Sequence, residues 1–106
     1  MQRAAFMLKV KKDRIEEYEK EHDAIWPELV EAIQRNGFHN YSIFLDEDGN
    51  VFGYTEVDES IDKCLEGMAK EEANLRWQAH MADMFEGLQG RPDQSMVKLR
   101  QIFYLE

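Results

Sequence analysis

Two short segments of alternating apolar residues are joined by an Asp48-Gly49 turn, a long stretch of helical periodicity flanks them on each side, and a further strand-like segment lies at each end. Together these predict an α+β fold with the order β-α-β-β-α-β. That order is the ferredoxin-like arrangement, a four-stranded antiparallel sheet with helices on one side. A length of 106 residues sets the domain count at one, spanning residues 1–106.

The elements follow in order. Arg3 to Val10 reads as the first strand, with Phe6, Leu8 and Val10 alternating with Ala5, Met7 and Lys9. Lys11-Lys12 ends it. Asp13 is placed to cap the next helix, and Glu16, three residues on, completes a capping-box-like pair. The helical region runs to about Asn36, with Ile15, Tyr18, Ile25, Leu29 and Ile33 on its apolar stripe and Gly37 as its stop. Pro27 interrupts it, because proline has no N–H and its ring crowds the carbonyl four residues back, at Asp23. Either a kink or a new helix with Pro27 at its first position is expected.

His39 to Leu45 is the second strand, with Tyr41, Ile43 and Leu45 on one face and Ser42 and Phe44 on the other. His39, two residues before Tyr41, is expected on the face of Tyr41. Residues 46–50 form a hairpin turn. Val51 to Val57 is the third strand, where Gly53 marks a bulge or a close approach to the backbone. Ser60 starts the second helical region, with Ile61, Cys64, Leu65 and Met68 on its stripe. Lys70-Glu71-Glu72 interrupts it, and Ala73, Trp77, Met81, Met84 and Phe85 continue the spacing, so two helices or one bent helix fit. Gly87 to Ser95 is a loop long enough to fold over something. Val97 to Leu105 is the last strand, with Leu99, Phe103 and Leu105 on one face and Ile102 and Tyr104 on the other. The strands carry apolar residues on both faces, so the open face needs a cover, and a second subunit is the expected one.

Composition narrows the function classes. The chain is 43% hydrophobic with six Phe, four Tyr and two Trp, which is enough for a core, although domains of this size often gain from a partner subunit. A net charge of −9 leaves no basic patch to neutralise phosphates, so nucleic acid is excluded as a partner. The acidic residues read as a solvated surface. Cys64 is the single cysteine, so no internal disulfide can form; a reducing cytoplasm and a buried structural thiol are expected. No signal peptide is expected, and no membrane-length apolar run occurs in the sequence. Gly-rich phosphate loops, zinc-type spacings and EF-hand loops are missing, and His22, His39 and His80 are not spaced as a local metal site. Neither a cofactor nor a metal is expected.

The stretch that concentrates chemistry is Tyr18 to Leu29. Tyr18 and His22 are four residues apart on a helix and point the same way, on an otherwise apolar wall, next to the irregular backbone of Pro27. A small polar pocket fits this pattern, and so does a core histidine with its hydrogen bonds satisfied. Tyr41 can equally be a core aromatic or a wall of the same pocket, whereas helical spacing alone favours core packing for Trp77.

Four blocks then stand together: His22-Asp23-Ala24-Ile25-Trp26-Pro27-Glu28 after Glu17-Tyr18; Gly37-Phe38-His39-Asn40-Tyr41-Ser42-Ile43-Phe44-Leu45-Asp46; Arg76-Trp77 with Met81-Ala82-Asp83-Met84; and Ile102-Phe103-Tyr104-Leu105. In this combination, in this order and over nearly the whole chain, the sequence resembles the L-rhamnose mutarotase family. The resemblance implies a dimeric α+β barrel that interconverts the anomers of L-rhamnose, with His22 as proton donor and Tyr18, Tyr41 and Trp77 in contact with the sugar. The family's second Trp falls on Gln78, which would then line the sugar site beside Trp77 and change what meets the sugar there. Phe38 is bulkier than the family's usual residue, and Pro92-Asp93 is kept in an altered loop. Ring opening needs a group that gives and takes protons near neutrality, and histidine, with an unperturbed pKa of about 6.5, suits that work. Two further readings share the fold: a cofactor-free monooxygenase or haem-binding protein, and a sugar-binding module without catalysis.

Overall fold

The computed structural model describes residues 1–106. The sheet has four strands: β1 (Gln2–Lys9), β2 (Phe38–Leu45), β3 (Asn50–Val57) and β4 (Val97–Leu99). Their spatial order is β2-β3-β1-β4 and every pairing is antiparallel. Four helices, α1 (Ile15–Asp23), α2 (Pro27–Arg35), α3 (Ile61–Met68) and α4 (Glu72–Met81), supply the crossovers. This is the ferredoxin-like α+β arrangement expected from the element order. The core lies between helices and sheet: Tyr18, Leu29, Ala32, Cys64, Met68, Trp77 and Met81 pack against Val10, Phe38, Val51 and Val57. No helix is long and apolar enough to cross a membrane.

Pro27 opens a new helix rather than kinking an old one. It stands at the first position of α2, where its missing N–H would be unpaired anyway. The residue before a proline is driven to extended backbone, and Trp26 adopts φ −64°, ψ 131°. Gly37 ends the helical region at φ +89°. The second helical region is likewise two helices, α3 capped by Ser60 Oγ, which accepts from the Lys63 N–H at 3.1 Å.

Four expectations need correction. Asp13 does not cap α1: a 3-10 turn over Lys12–Arg14 draws it into the helical path, and α1 begins without a side-chain cap. Arg14 instead makes a two-pronged bond to Glu17 at 2.8 and 2.9 Å. His39 does not share a face with Tyr41. Residues 40 and 41 together oppose Thr55, because His39 pairs with Glu56 and Ser42 with Tyr54. This bulge, with Asn40 at φ +47°, adds one residue and reverses the side-chain phase. Phe38 and Tyr41 therefore both face the helices, and their rings stack at 5.4 Å. On α4 the inward stripe is Asn74, Trp77 and Met81 rather than Ala73.

The fourth correction concerns the end of the chain. The last strand covers only Val97–Leu99, paired with Met7, Phe6 and Ala5 of β1. From Arg100 onward the chain leaves the sheet, and Tyr104 lies over the Arg3 guanidinium at 3.7 Å. The alternating apolar residues there have no layer of this chain beneath them: Ile102, Phe103 and Leu105 are all largely exposed.

Gly53 is a close approach and not a bulge. It stands directly opposite Phe6, whose ring lies over its Cα; a Cβ there would meet the ring at 2.1 Å. Because Phe6 is itself buried, the ring cannot swing away. Gly53→Ala is therefore expected to destabilise the fold by about 1–3 kcal/mol through overpacking. Thermal unfolding would show this as a Tm lowered by at least ~4 °C; an unchanged Tm would contradict the packing described.

Candidate active site

Two backbone irregularities shape one cavity. The break before Pro27 ends α1 just after His22, and the β2 bulge turns Tyr41 inward. Between the helices and the sheet lies a cavity of about 1080 Å³, at the upper end of the range usual for small-molecule sites. Tyr18, His22, Tyr41, Trp77 and Gln78 all line it. A smaller nook of about 70 Å³ shares these five residues, and Asp93 lines both spaces.

The imidazole of His22 is fixed from three sides. Its Nδ1 lies 2.9 Å from the carbonyl oxygen of Tyr18. A carbonyl can only accept, so Nδ1 carries the hydrogen and Nε2 is left as the nitrogen that takes up or gives away a proton. The Tyr18 ring sits 4.5 Å from the imidazole, and Trp77 stands perpendicular to it at 5.7 Å. Trp77 is held in turn by Trp26, edge to face at 5.1 Å. Phe85 braces Tyr18 at 5.6 Å.

Burial pushes the phenols of Tyr18 and Tyr41 well above the usual tyrosine range. Tyr18 and Asp93 line the same nook as Tyr41, and ionising the Tyr41 phenol beside them is opposed further, after burial. Both phenols therefore stay neutral near pH 7, able to donate and accept hydrogen bonds. Neither hydroxyl is a fully buried group without a partner, and both side chains line the cavity.

Gln78 lines the cavity, and both ends of its amide are bonded within the protein. Its Oε1 accepts the Asp93 N–H at 3.0 Å and its Nε2 donates to Asn74 Oδ1 at 3.0 Å. Asn74, nearly fully buried, donates from Nδ2 to the Met68 carbonyl at 3.1 Å and to Asp93 Oδ2 at 3.0 Å. Arg91 Nε donates to Asp93 Oδ1 at 2.9 Å. Asn74, which the sequence did not single out, and Asp93, noted there only as part of a kept Pro-Asp pair, are thus members of the site. A faint signal existed: Asn74 precedes Trp77 by three residues and Gln78 by four, a polar residue on an apolar stripe. Of the other two histidines, His80 lies outside the cavity in an exposed ion pair with Glu21, and His39 borders the cavity from β2 while pairing with Asp58, each pair at 2.8 Å. No three His, Cys, Asp or Glu side chains converge so that they could hold a metal ion.

The family profile that matches the sequence is that of the L-rhamnose mutarotases, over residues 3–105. The chain belongs to the L-rhamnose mutarotase family. Similar members include the L-rhamnose mutarotases of Pectobacterium atrosepticum, 39% identical, Mannheimia succiniciproducens, 41% identical, and Bacillus subtilis, 39% identical. In each case the whole of both chains is covered. A crystal structure of the L-rhamnose mutarotase from Formosa agariphila superposes with a TM-score of 0.81 at 33% identity, again over the whole of both chains. A putative antibiotic biosynthesis monooxygenase from Nitrosomonas europaea has a TM-score of 0.61 at 14% identity, covering 95% of this chain and 89% of its own. That likeness is one of fold alone.

Proposed function

We propose that the protein is an isomerase that interconverts the α and β anomers of L-rhamnose, with His22 as the proton donor. Family membership supports the reaction class. The residue-level reading is supported above all by one observation: with Nδ1–H held by the Tyr18 carbonyl, His22 has a single nitrogen left for proton exchange, Nε2, and it lines a cavity walled by two neutral phenols and an indole.

A pyranose changes anomer by opening. The C1–O5 bond breaks, the ring oxygen gains a proton and the anomeric hydroxyl loses one; rotation about C1–C2 and reversal of both transfers closes the ring on the other face. In this reading His22, protonated at both nitrogens as the imidazolium, gives its Nε2 proton to O5 and is left as the neutral Nδ1–H ring. Tyr18 and Tyr41 hold sugar hydroxyls, since a neutral phenol can donate and accept. Trp77 offers its ring to the C–H face or the 6-methyl group, as flat aromatic surfaces suit apolar ligand faces. Gln78 bounds the sugar on its other side, its amide dipole already satisfied by Asn74 and Asp93. The unpaired, buried Cys64 suits a cytoplasmic location.

NMR magnetisation exchange between the anomers of L-rhamnose tests the proposal. The wild type is expected to speed exchange, and His22→Ala to lose about 100- to 10,000-fold of that rate while keeping its fold by circular dichroism. A folded His22→Ala variant exchanging at the wild-type rate would reduce His22 to a packing residue.

The working unit in this reading is a homodimer joined through the open sheet face. Phe44, Phe52, Val97 and Leu99 are exposed there, Phe44 at 60%, and a monomer rarely leaves such a patch in water. In the tail Ile102, Phe103 and Leu105 are also exposed, so each copy offers both an apolar face and an apolar segment to its twin, as a two-fold contact requires. Sedimentation at micromolar concentration is expected to give twice the chain mass; a stable monomer would contradict it.

A further inference from the structure

We propose that Asp93 is the second proton carrier of the reaction, the base that works opposite His22. The inference rests on the mutarotase reading above and deepens it.

Anomer exchange needs two simultaneous transfers of opposite sense. His22 can serve one of them, because Nδ1 is held by the Tyr18 carbonyl and only Nε2 remains. The nook beside His22 holds three other ionisable side chains, Tyr18, Tyr41 and Asp93, while Glu19, Asp23 and His39 line only the wider cavity. Burial keeps both phenols protonated, so neither accepts a proton at neutral pH. That leaves the Asp93 carboxylate.

Its setting is that of a prepared base. The side chain is only 7% exposed, and buried carboxylates are costly unless bonded. Here Oδ1 accepts from Arg91 and Oδ2 from Asn74. An ionised carboxylate has about four acceptor sites, so each oxygen retains room for a sugar hydroxyl. The carboxylate is also held in position. Asp93 sits in a long loop, yet its own N–H is gripped by Gln78, Gln78 is gripped by Asn74, and Asn74 is anchored to the Met68 carbonyl. An indole in place of Gln78 would have no acceptor for the Asp93 N–H. In this chain α4 therefore tethers the loop through an amide. The charged and titratable groups around Asp93 are Arg91 on its own loop, His22 and Tyr18 on α1, and Tyr41 on β2.

The step balances. The anomeric O–H proton passes to Asp93, the electron pair of that O–H bond becomes the C1=O π bond, and the C1–O5 pair moves to O5, which takes the proton from His22 Nε2. The open-chain aldehyde then sees a neutral His22 and a protonated Asp93. After rotation, O5 attacks the other face of C1, returns its proton to His22, and the carbonyl oxygen recovers the proton from Asp93.

The test compares wild type, His22→Ala, Asp93→Asn and Asp93→Ala by anomer exchange, with L-rhamnose affinity measured by calorimetry. Asp93→Asn is expected to lose about 100- to 10,000-fold in kcat while its Kd for L-rhamnose stays close to the wild-type value. Formate is expected to restore part of the rate of Asp93→Ala in proportion to its concentration. An Asp93→Asn enzyme with wild-type kcat overturns the inference and leaves the mutarotase reading intact. So does loss of affinity and rate together with no response to formate, which would make Asp93 a loop anchor. A wild type that does not speed exchange at all defeats the mutarotase reading itself.

Discussion

The hydrogen bond from His22 Nδ1 to the carbonyl of Tyr18 is the constraint around which the site is arranged. It is a local bond, one helical turn long, and it depends on α1 continuing far enough to bring both residues onto one face. It fixes the tautomer, and so decides which nitrogen meets the cavity. The aromatic braces then have a single ring orientation to hold: Tyr18 on one side, Trp77 perpendicular on another, with Trp26 and Phe85 behind them. A histidine free to rotate in the same cavity would offer either nitrogen and neither reliably.

The cavity itself comes from two places where the backbone departs from regularity. Pro27 cannot extend α1, so the chain turns after Asp23 and starts again, and the helix layer opens where His22 sits. The extra residue in β2 reverses the alternation and sends Tyr41 inward beside Phe38. Each irregularity is stabilised elsewhere, Trp26 by its packing on Trp77 and the bulge by Thr55 Oγ1, which donates to the His39 carbonyl at 3.0 Å.

What could be read from the sequence was what depends on short range. The helical period put Tyr18 and His22 together, the Asp-Gly turn set the hairpin, and proline and glycine marked the helix ends. The bulge was hidden because alternation from residue 38 to residue 45 fits an unbroken strand; only pairing with β3 reveals the added residue. Asn40 was its sole trace, asparagine being one of the few residues that tolerate positive φ. The meeting of Asn74 with Asp93 was hidden for another reason: their bond joins residues 19 apart, across a loop whose path no local rule fixes. In the tail, apolar alternation looks the same whether a strand pairs within its own chain or rests on something else, so the ending at Leu99 could not be foreseen.

The central claim is that His22 meets the sugar through Nε2 because Nδ1 is held by the main chain. Nitrogen-15 NMR of the imidazole, with and without L-rhamnose, tests it most directly. The account predicts that the neutral ring is protonated at Nδ1 and that the Nε2 resonance moves as the sugar binds. A neutral ring protonated at Nε2, or an Nε2 resonance unmoved by saturating L-rhamnose, would contradict it.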